Sequence, residues 1–289
     1  KAARLYRHEI AIAALNSTTS RTLASQAADE LLNISGITAS FVLYPDGEHA
    51  ITHICALDAP ELLYKWPDLI HCPDPKELIA TVDAVIVALR EGYEHAALAT
   101  MAMEAGKPVF VDKPFTCNPK EAAALAALSA ATGTVCTGGS TICFTKEVRQ
   151  LQKQLPQQDH YEISYQADPY SPFGGWYFYG SHLTDVCVSI FGTDWQSVTA
   201  AQEGAMITAT VAYPDYTVTI RSTPQTQPFI IRAGQSYTLD DRGCYAAGMA
   251  HFIAAAEGKE SGVASLLVHS TRLMDAIITS LRAAQPYHG

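Results

Sequence analysis

No glycine precedes Gly36 and no methionine precedes Met101 in this chain of 289 residues. The first absence excludes an early glycine-rich turn of the kind that lets backbone amides cradle a phosphate at a helix start. The second leaves open whether residues precede Lys1. Basic residues are scarce, 19 against 29 acidic, and the net charge of -10 argues against a nucleic-acid backbone as partner. No apolar run approaches the ~20 residues that cross a bilayer, and no charged-then-apolar leader opens the chain, so no membrane partner is expected and the protein should be soluble and cytoplasmic. Cysteines number seven, an odd count with no CxxC pair. That excludes a disulfide framework and points to free thiols. No His, Cys and carboxylate set has metal-ligand spacing, and no GxSxG or Cys/His pair points to nucleophilic catalysis.

What is present is enough apolar content for a large core, 48% of residues against 17% charged, which excludes disorder as the main state. Asp83 to Leu89 is a continuous β-branched run, as a strand buried on both faces requires, and His95 to Ala105 follows as a helix closed by Gly106. Pro108 to Val111 repeats the buried-strand signal. Asn118-Pro119-Lys120-Glu121 then supplies an N-cap, a proline in the first turn and an acid before an alanine-rich helix ending at Gly133. Asp74-Pro75-Lys76-Glu77 is the same start signal, and Thr134 to Thr137 is a further short strand. This alternation with short connections predicts an α/β domain, residues 1–135, with a doubly wound parallel sheet of Rossmann type.

Upstream, Glu9 to Leu15 is taken as the first strand and Thr22 to Leu32 as the helix after it. Phe41 to Tyr44 and Ile51 to Leu57 flank Asp46-Gly47, which predicts a hairpin. After residue 155 the period changes to two. Tyr161, Ile163 and Tyr165 alternate with polar residues, as do Tyr216, Val218 and Ile220, with Pro214-Asp215 as a turn. Such strands are expected to be antiparallel with one buried face, and Tyr245 to Ala256 and Leu266 to Ala284 close the chain as helices. Residues 136–289 are therefore expected to form an α+β domain with an open, mostly antiparallel sheet that also offers a homo-oligomer interface.

Two stretches carry chemistry. The first runs from DAVIVALREGYEH at Asp83 through a helix to GKPVFVDKP, ending in Asp112-Lys113-Pro114, with Thr116 to Ala123 behind it. The second is Gly174 to Asp185, GGWYFYGSHLTD. Together they resemble the Gfo/Idh/MocA family of NAD(P)-dependent oxidoreductases. The likeness is dense over 82–133, moderate over 174–192 and 247–280, and poor before Asp58. Asp112-Lys113-Pro114 stands at the family's EKP position. The resemblance places Lys113 beside nicotinamide and substrate hydroxyl, with His95, Asp112 and Pro114 at the cofactor. A cation at the carboxyl end of a parallel strand lies where doubly wound sheets bind ligands and can stabilise an alkoxide. Arg90, where the family usually shows proline, reaches either cofactor phosphates or solvent.

Gly180, His182 and Asp185 match the family's G-x-H-x-x-D helix, where the histidine is the acid/base. Imidazole suits that role because its ordinary pKa near 6.5 lets it accept a hydroxyl proton at neutral pH. The competing reading is a histidine near a helix start, satisfied by solvent. Many members carry an aspartate four residues before the histidine; here Phe178 stands there. Asp185 either orients His182 and binds substrate or is a first-turn acid favoured by the helix dipole. Trp176 and Tyr179, with Tyr177, either line a sugar-sized pocket or pack in the core. Asn16, Ser17 and Thr18 fall in the turn where the family's pyrophosphate glycines stand, and Asp58 is the candidate for the ribose hydroxyls, with Asp46 as competitor. Asp58 favours NAD, with NADP open. The implied activity is hydride transfer between NAD(P) and a secondary hydroxyl of a sugar, inositol or similar polyol. The second reading is a non-catalytic ligand-binding or regulatory protein on the same scaffold.

Overall fold

The computed structural model describes residues 3–6, 10–14, 39–43, 54–57, 69–72, 74–89 and 91–288, by backbone alone up to residue 71. The chain divides into two compact units, Lys1–Val85 and Ile86–Gly289. In the first unit, β1 (Ala3–Tyr6) runs antiparallel to β2 (Ile10–Ala14), and β2 pairs in parallel with β3 (Ala39–Leu43). A separate parallel pair joins β4 (Ile54–Leu57) to β5 (Leu69–Cys72). The hairpin expected from sequence across Asp46-Gly47 is therefore not found among the described residues, where β3 pairs with β2 and β4 with β5. Asp-Gly favours a local turn, but each flanking run finds a parallel partner elsewhere. The helix expected at 22–32 lies outside the described residues.

Helix α1 (Pro75–Thr81) starts where its cap predicts: the Asp74 carboxylate accepts from the amides of Lys76 at 2.8 Å and Glu77 at 3.0 Å. Such a cap is worth about 1 kcal/mol over alanine. Next comes β6 (Val85–Val87), then α2 (His95–Glu104), β7 (Val109–Val111), α3 (Pro119–Thr132) and β8 (Cys136–Gly138). The three strands lie in the order β6-β7-β8, with β7 and β8 parallel. Asn118 caps α3 by accepting from the Lys120 amide at 2.9 Å, and Gly133 ends it in the left-handed region at φ 70°. These are the terminators read from the sequence.

A 3-10 turn (Thr141–Phe144) leads into α4 (Lys146–Lys153), then β9 (His160–Gln166), α5 (Tyr177–Phe191), β10 (Ser197–Glu203), β11 (Met206–Ala212), β12 (Thr217–Thr223), β13 (Ile230–Ala233) and β14 (Gln235–Thr238). Helices α6 (Cys244–Ala256) and α7 (Ala264–Ala283) and the short β15 (Tyr287–His288) complete the chain. The large sheet has the order β14-β13-β9-β12-β11-β10-β15. It is antiparallel except that β9 and β12 run parallel, which corrects the expectation that β9 is antiparallel to its neighbours. The cause is the route: β9 leaves the sheet through α5, and the β10-β11-β12 meander returns beside it in the same direction. One face is dry. Ile163, Ile207, Val211, Val218 and Ile220 from the strands share a core with Leu183 of α5 and Leu273 and Ile277 of α7. Each such side chain contributes about 1.5–3 kcal/mol by leaving water.

Candidate active site

The site forms where β7 and β8 end. Asp112 leaves β7 with its amide donating to the Val87 carbonyl at 2.8 Å, and Lys113 follows on a cis peptide to Pro114. His95, fully buried at the start of α2, braces this corner: Nδ1 lies 2.7 Å from the Pro114 carbonyl and Nε2 contacts the Leu89 backbone. Both ring nitrogens are thus engaged by backbone, so His95 holds the loop that carries Lys113. The Asp112 carboxyl is raised by burial, and the Lys113 charge works against that rise.

Strand β8 ends at Gly138 and runs on into Gly139-Ser140, and both glycines are obligatory. A Cβ on Gly138, at φ 142°, would lie 1.8 Å from the Val111 carbonyl oxygen; one on Gly139, at φ 71°, would lie 2.8 Å from an Asp185 oxygen. Closing up this way delivers the Ser140 amide to Asp185 Oδ2 at 2.6 Å and the Ser140 hydroxyl to His182 Nδ1 at 2.7 Å. The Ile142 amide also donates to that hydroxyl, at 3.3 Å.

Helix α5 presents the other side. It begins earlier than the Gly180 entry suggested, because a side-chain-free Gly180 lets the Trp176 ring lie against it; a Cβ there would meet the indole at 2.4 Å. Trp176 is 3% exposed and its indole N–H donates to Ser222 at 2.9 Å, which places it in the core. Tyr179 is half-buried and stacks on His182, centroids 5.4 Å apart at 26°, while Tyr165 meets His182 edge-on at 5.6 Å. The Lys113 ammonium lies 3.8 Å from the centre of the Phe178 ring and 4.4 Å from that of Tyr179. Where the family aspartate would put a carboxylate, this chain puts the negative face of an aromatic ring.

His182 is 5% exposed and lies well inside α5, beyond its first turn. Burial, reinforced by the Lys113 charge, holds its pKa well below the ordinary value, so the ring is neutral at neutral pH. Asp185 is also beyond the first turn, which removes the dipole explanation, and both its oxygens are engaged: Oδ2 by the Ser140 amide and Oδ1 by the Ser270 hydroxyl. Burial raises its pKa to about 6 despite those bonds. The structure therefore brings Lys113, Tyr179 and His182 together, with Asp185 behind them. Asn16, Ser17, Thr18, Asp58, Asp46 and Arg90 lie outside the described residues. Ser140 is the member that sequence reasoning missed; its signal was the paired glycine directly after a buried strand, at the point where such sheets bind ligands.

Comparisons with known proteins bear on the fold and the family. Over 157 residues the chain is 27% identical to YdgJ of Escherichia coli K12, an uncharacterized oxidoreductase, a match covering 48% of this chain and 45% of that protein. Thus the chain spans under half the length of the curated relative it matches. Among solved structures, GenD2 from gentamicin A biosynthesis, in complex with NAD, superimposes with a TM-score of 0.65 at 14% identity, covering 86% of this chain and 99% of that one. A provisionally assigned myo-inositol dehydrogenase of Sinorhizobium meliloti 1021 gives 0.68 at 14% identity, over 93% and 97%. An NAD-binding protein of Listeria innocua gives 0.63 at 14%, over 99% and 100%. At these identities the likeness to the solved structures is one of fold. Residues 42–140 match the model of the oxidoreductase family Gfo/Idh/MocA, described by its NAD-binding Rossmann fold.

Proposed function

We propose that this chain is a dehydrogenase that oxidises a secondary hydroxyl of a sugar, inositol or similar polyol with NAD. In this reading residues 1–135 hold the nucleotide and 136–289 the substrate. The observation that carries it is the placing of a cation and a neutral imidazole against one tyrosine ring: Lys113 at 4.4 Å and His182 at 5.4 Å from Tyr179. A hydroxyl presented there meets a charge that stabilises its oxygen as an alkoxide and a base ready to take its proton at Nε2. The donor set fits the nicotinamide end of NAD, with Lys113 at the carboxyl end of β7. NAD, when bound, supplies the hydride acceptor. Asp58 directly follows β4, whose parallel pairing with β5 suits the second strand of a doubly wound half, where the ribose-binding acid stands. Asp185, with both oxygens used inside the protein, positions Ser140 and does not touch substrate.

The test is calorimetric titration with NAD and NADP followed by a panel of polyols. NAD should bind more tightly than NADP, and His182→Asn should keep that affinity while turnover falls by roughly 10²–10⁴. Absence of binding by either nucleotide at millimolar concentration would overturn the enzyme reading. It would favour the ligand-binding alternative, which the glycine-free segment before Gly36 supports.

A further inference from the structure

His182 is closed in: 5% exposed, with Tyr179 stacked on its face and Tyr165 against its edge. A ring buried in that position stays neutral on gaining a proton only if it gives up another, and a charged ring there is costly. Behind it lies a cavity of about 260 Å³ whose wall includes Ser140, Asp185, Ser189, Ser270, His251 and Glu260. The volume exceeds several times the ~30 Å³ share of one water, and the lining supplies the polar partners that buried water needs. The Glu260 side chain is 53% exposed, so the cavity reaches the surface.

The Ser140 hydroxyl joins the two compartments. Ser140 is part of the cavity wall, and its hydroxyl lies 2.7 Å from His182 Nδ1. It accepts from the Ile142 amide, and among the described residues no other acceptor is bonded to its O–H. An oxygen that accepts from Ile142 N–H and from His182 Nδ1–H has its own proton left to donate, and the remaining direction is the cavity. We propose that Ser140 is a proton relay that keeps the His182 ring neutral: the proton taken from substrate at His182 Nε2 is matched by loss of the Nδ1 proton to Ser140 Oγ, whose own proton passes to water in the cavity. Once product leaves, Nε2 gives its proton to entering water while Nδ1 takes one back from Ser140, which is resupplied from the cavity. One O–H bond of the substrate is broken and one N–H bond formed at Nε2. The Nδ1–H bond breaks as an O–H bond forms at Ser140, and water carries the surplus proton away. Ser140 acts through His182, so it is a positioning and relay residue. Asp185 fixes it by holding its amide at 2.6 Å and places a carboxylate where the departing positive charge passes.

This inference rests on the reading of His182 as proton acceptor, and the experiment separates the two. In protein labelled with ¹⁵N-histidine, the His182 signals are assigned by their loss in His182→Gln. The wild-type ring should show the Nδ1–H tautomer, with its proton exchanging with water. Ser189→Leu fills the cavity and leaves Ser140 untouched; exchange should slow at least tenfold with the tautomer unchanged. Ser140→Ala should slow exchange equally, and Ser140→Thr should restore it. An Nε2–H tautomer in the wild type, or exchange unchanged in both Ser189→Leu and Ser140→Ala, would overturn the route. Unchanged polyol oxidation by His182→Gln would instead overturn the functional reading and with it the catalytic use of the route.

Discussion

The two strand ends that build the site work by opposite means. The end of β7 contributes a side chain, Lys113, whose charge is the chemistry. At the end of β8, Gly138 and Gly139 contribute the lack of side chains, and Ser140 is useful because of where its amide and hydroxyl are delivered. A substitution at the first end should therefore change rate and spare the fold, whereas one at the second should change the fold first. The sharpest test is Gly138→Ala. Its Cβ would sit 1.8 Å from a backbone oxygen of the paired strand, an atom that cannot swing aside. The loss should exceed about 4 kcal/mol, in the range reserved for broken packing, and urea unfolding measures it. A loss below about 1 kcal/mol would mean that the strands separate at little cost and that the contrast is misplaced.

Lys113→Met makes the complementary test. It keeps length and apolar stem but removes the charge, so kcat should fall by roughly 10²–10³, the cost of one oxyanion-stabilising donor. The unfolding midpoint should hardly move. Ser140→Ala, by contrast, should slow turnover less and lower stability more, because the Ile142 amide loses its acceptor. Equal effects on rate from the two would erase the distinction between a group that acts and one that is delivered.

Behind the β8 end, Asp185 gives the comparison a pH dependence. Its pKa in the fold is about 6, against an ordinary 3.8, because burial outweighs the bonds from Ser140 and Ser270. The folded state therefore holds the proton more tightly than the unfolded chain. Stability from this group is fully present below pH 3.8 and is lost as pH rises through 6. At 1.36 kcal/mol per unit the loss amounts to about 2–3 kcal/mol, and Asp185→Asn should remove it. Denaturant titrations of both proteins at pH 4 and pH 7 provide the check. A wild type that gains stability over that interval relative to Asp185→Asn would reverse the sign.

This contrast also explains what was legible in the sequence. Caps such as Asp74 and Asn118, with the left-handed Gly133, act within one turn of chain and were read correctly. The run through Val85–Val87 was read correctly as a strand but not as one buried on both faces, since Val85 and Val87 are buried while Ile86 is 57% exposed. Lys113 and His182 stood out because their chemistry resides in residue identity. Pairing does not: the parallel β9–β12 contact and the separate partners of β3 and β4 depend on segments distant in the chain, and an Asp-Gly signal carries no information about them. Ser140 was missed for a related reason. A serine is common, and what makes this one matter is a bond to a residue 42 positions away.

The smallest expected effect concerns how Lys113 is held. Its ammonium lies 3.8 Å from the Phe178 ring centre, at the position where the Gfo/Idh/MocA pattern commonly carries an aspartate. A carboxylate there would neutralise the cation, whereas a ring attracts it through its quadrupole and leaves the charge in place for a developing alkoxide. Phe178→Leu removes the quadrupole and keeps most of the apolar contact with Phe173, whose ring lies 5.2 Å away. Because leucine is also smaller, the single substitution mixes lost packing with lost attraction, and a double-mutant cycle with Lys113→Met separates them. The coupling should be about 0.5–1 kcal/mol, as expected of a half-exposed cation–π pair, and should appear in urea unfolding without any substrate. Phe178→Tyr should retain it. A coupling of zero would mean that the ring merely borders the lysine and that the cation–π attraction comes from Tyr179 at 4.4 Å.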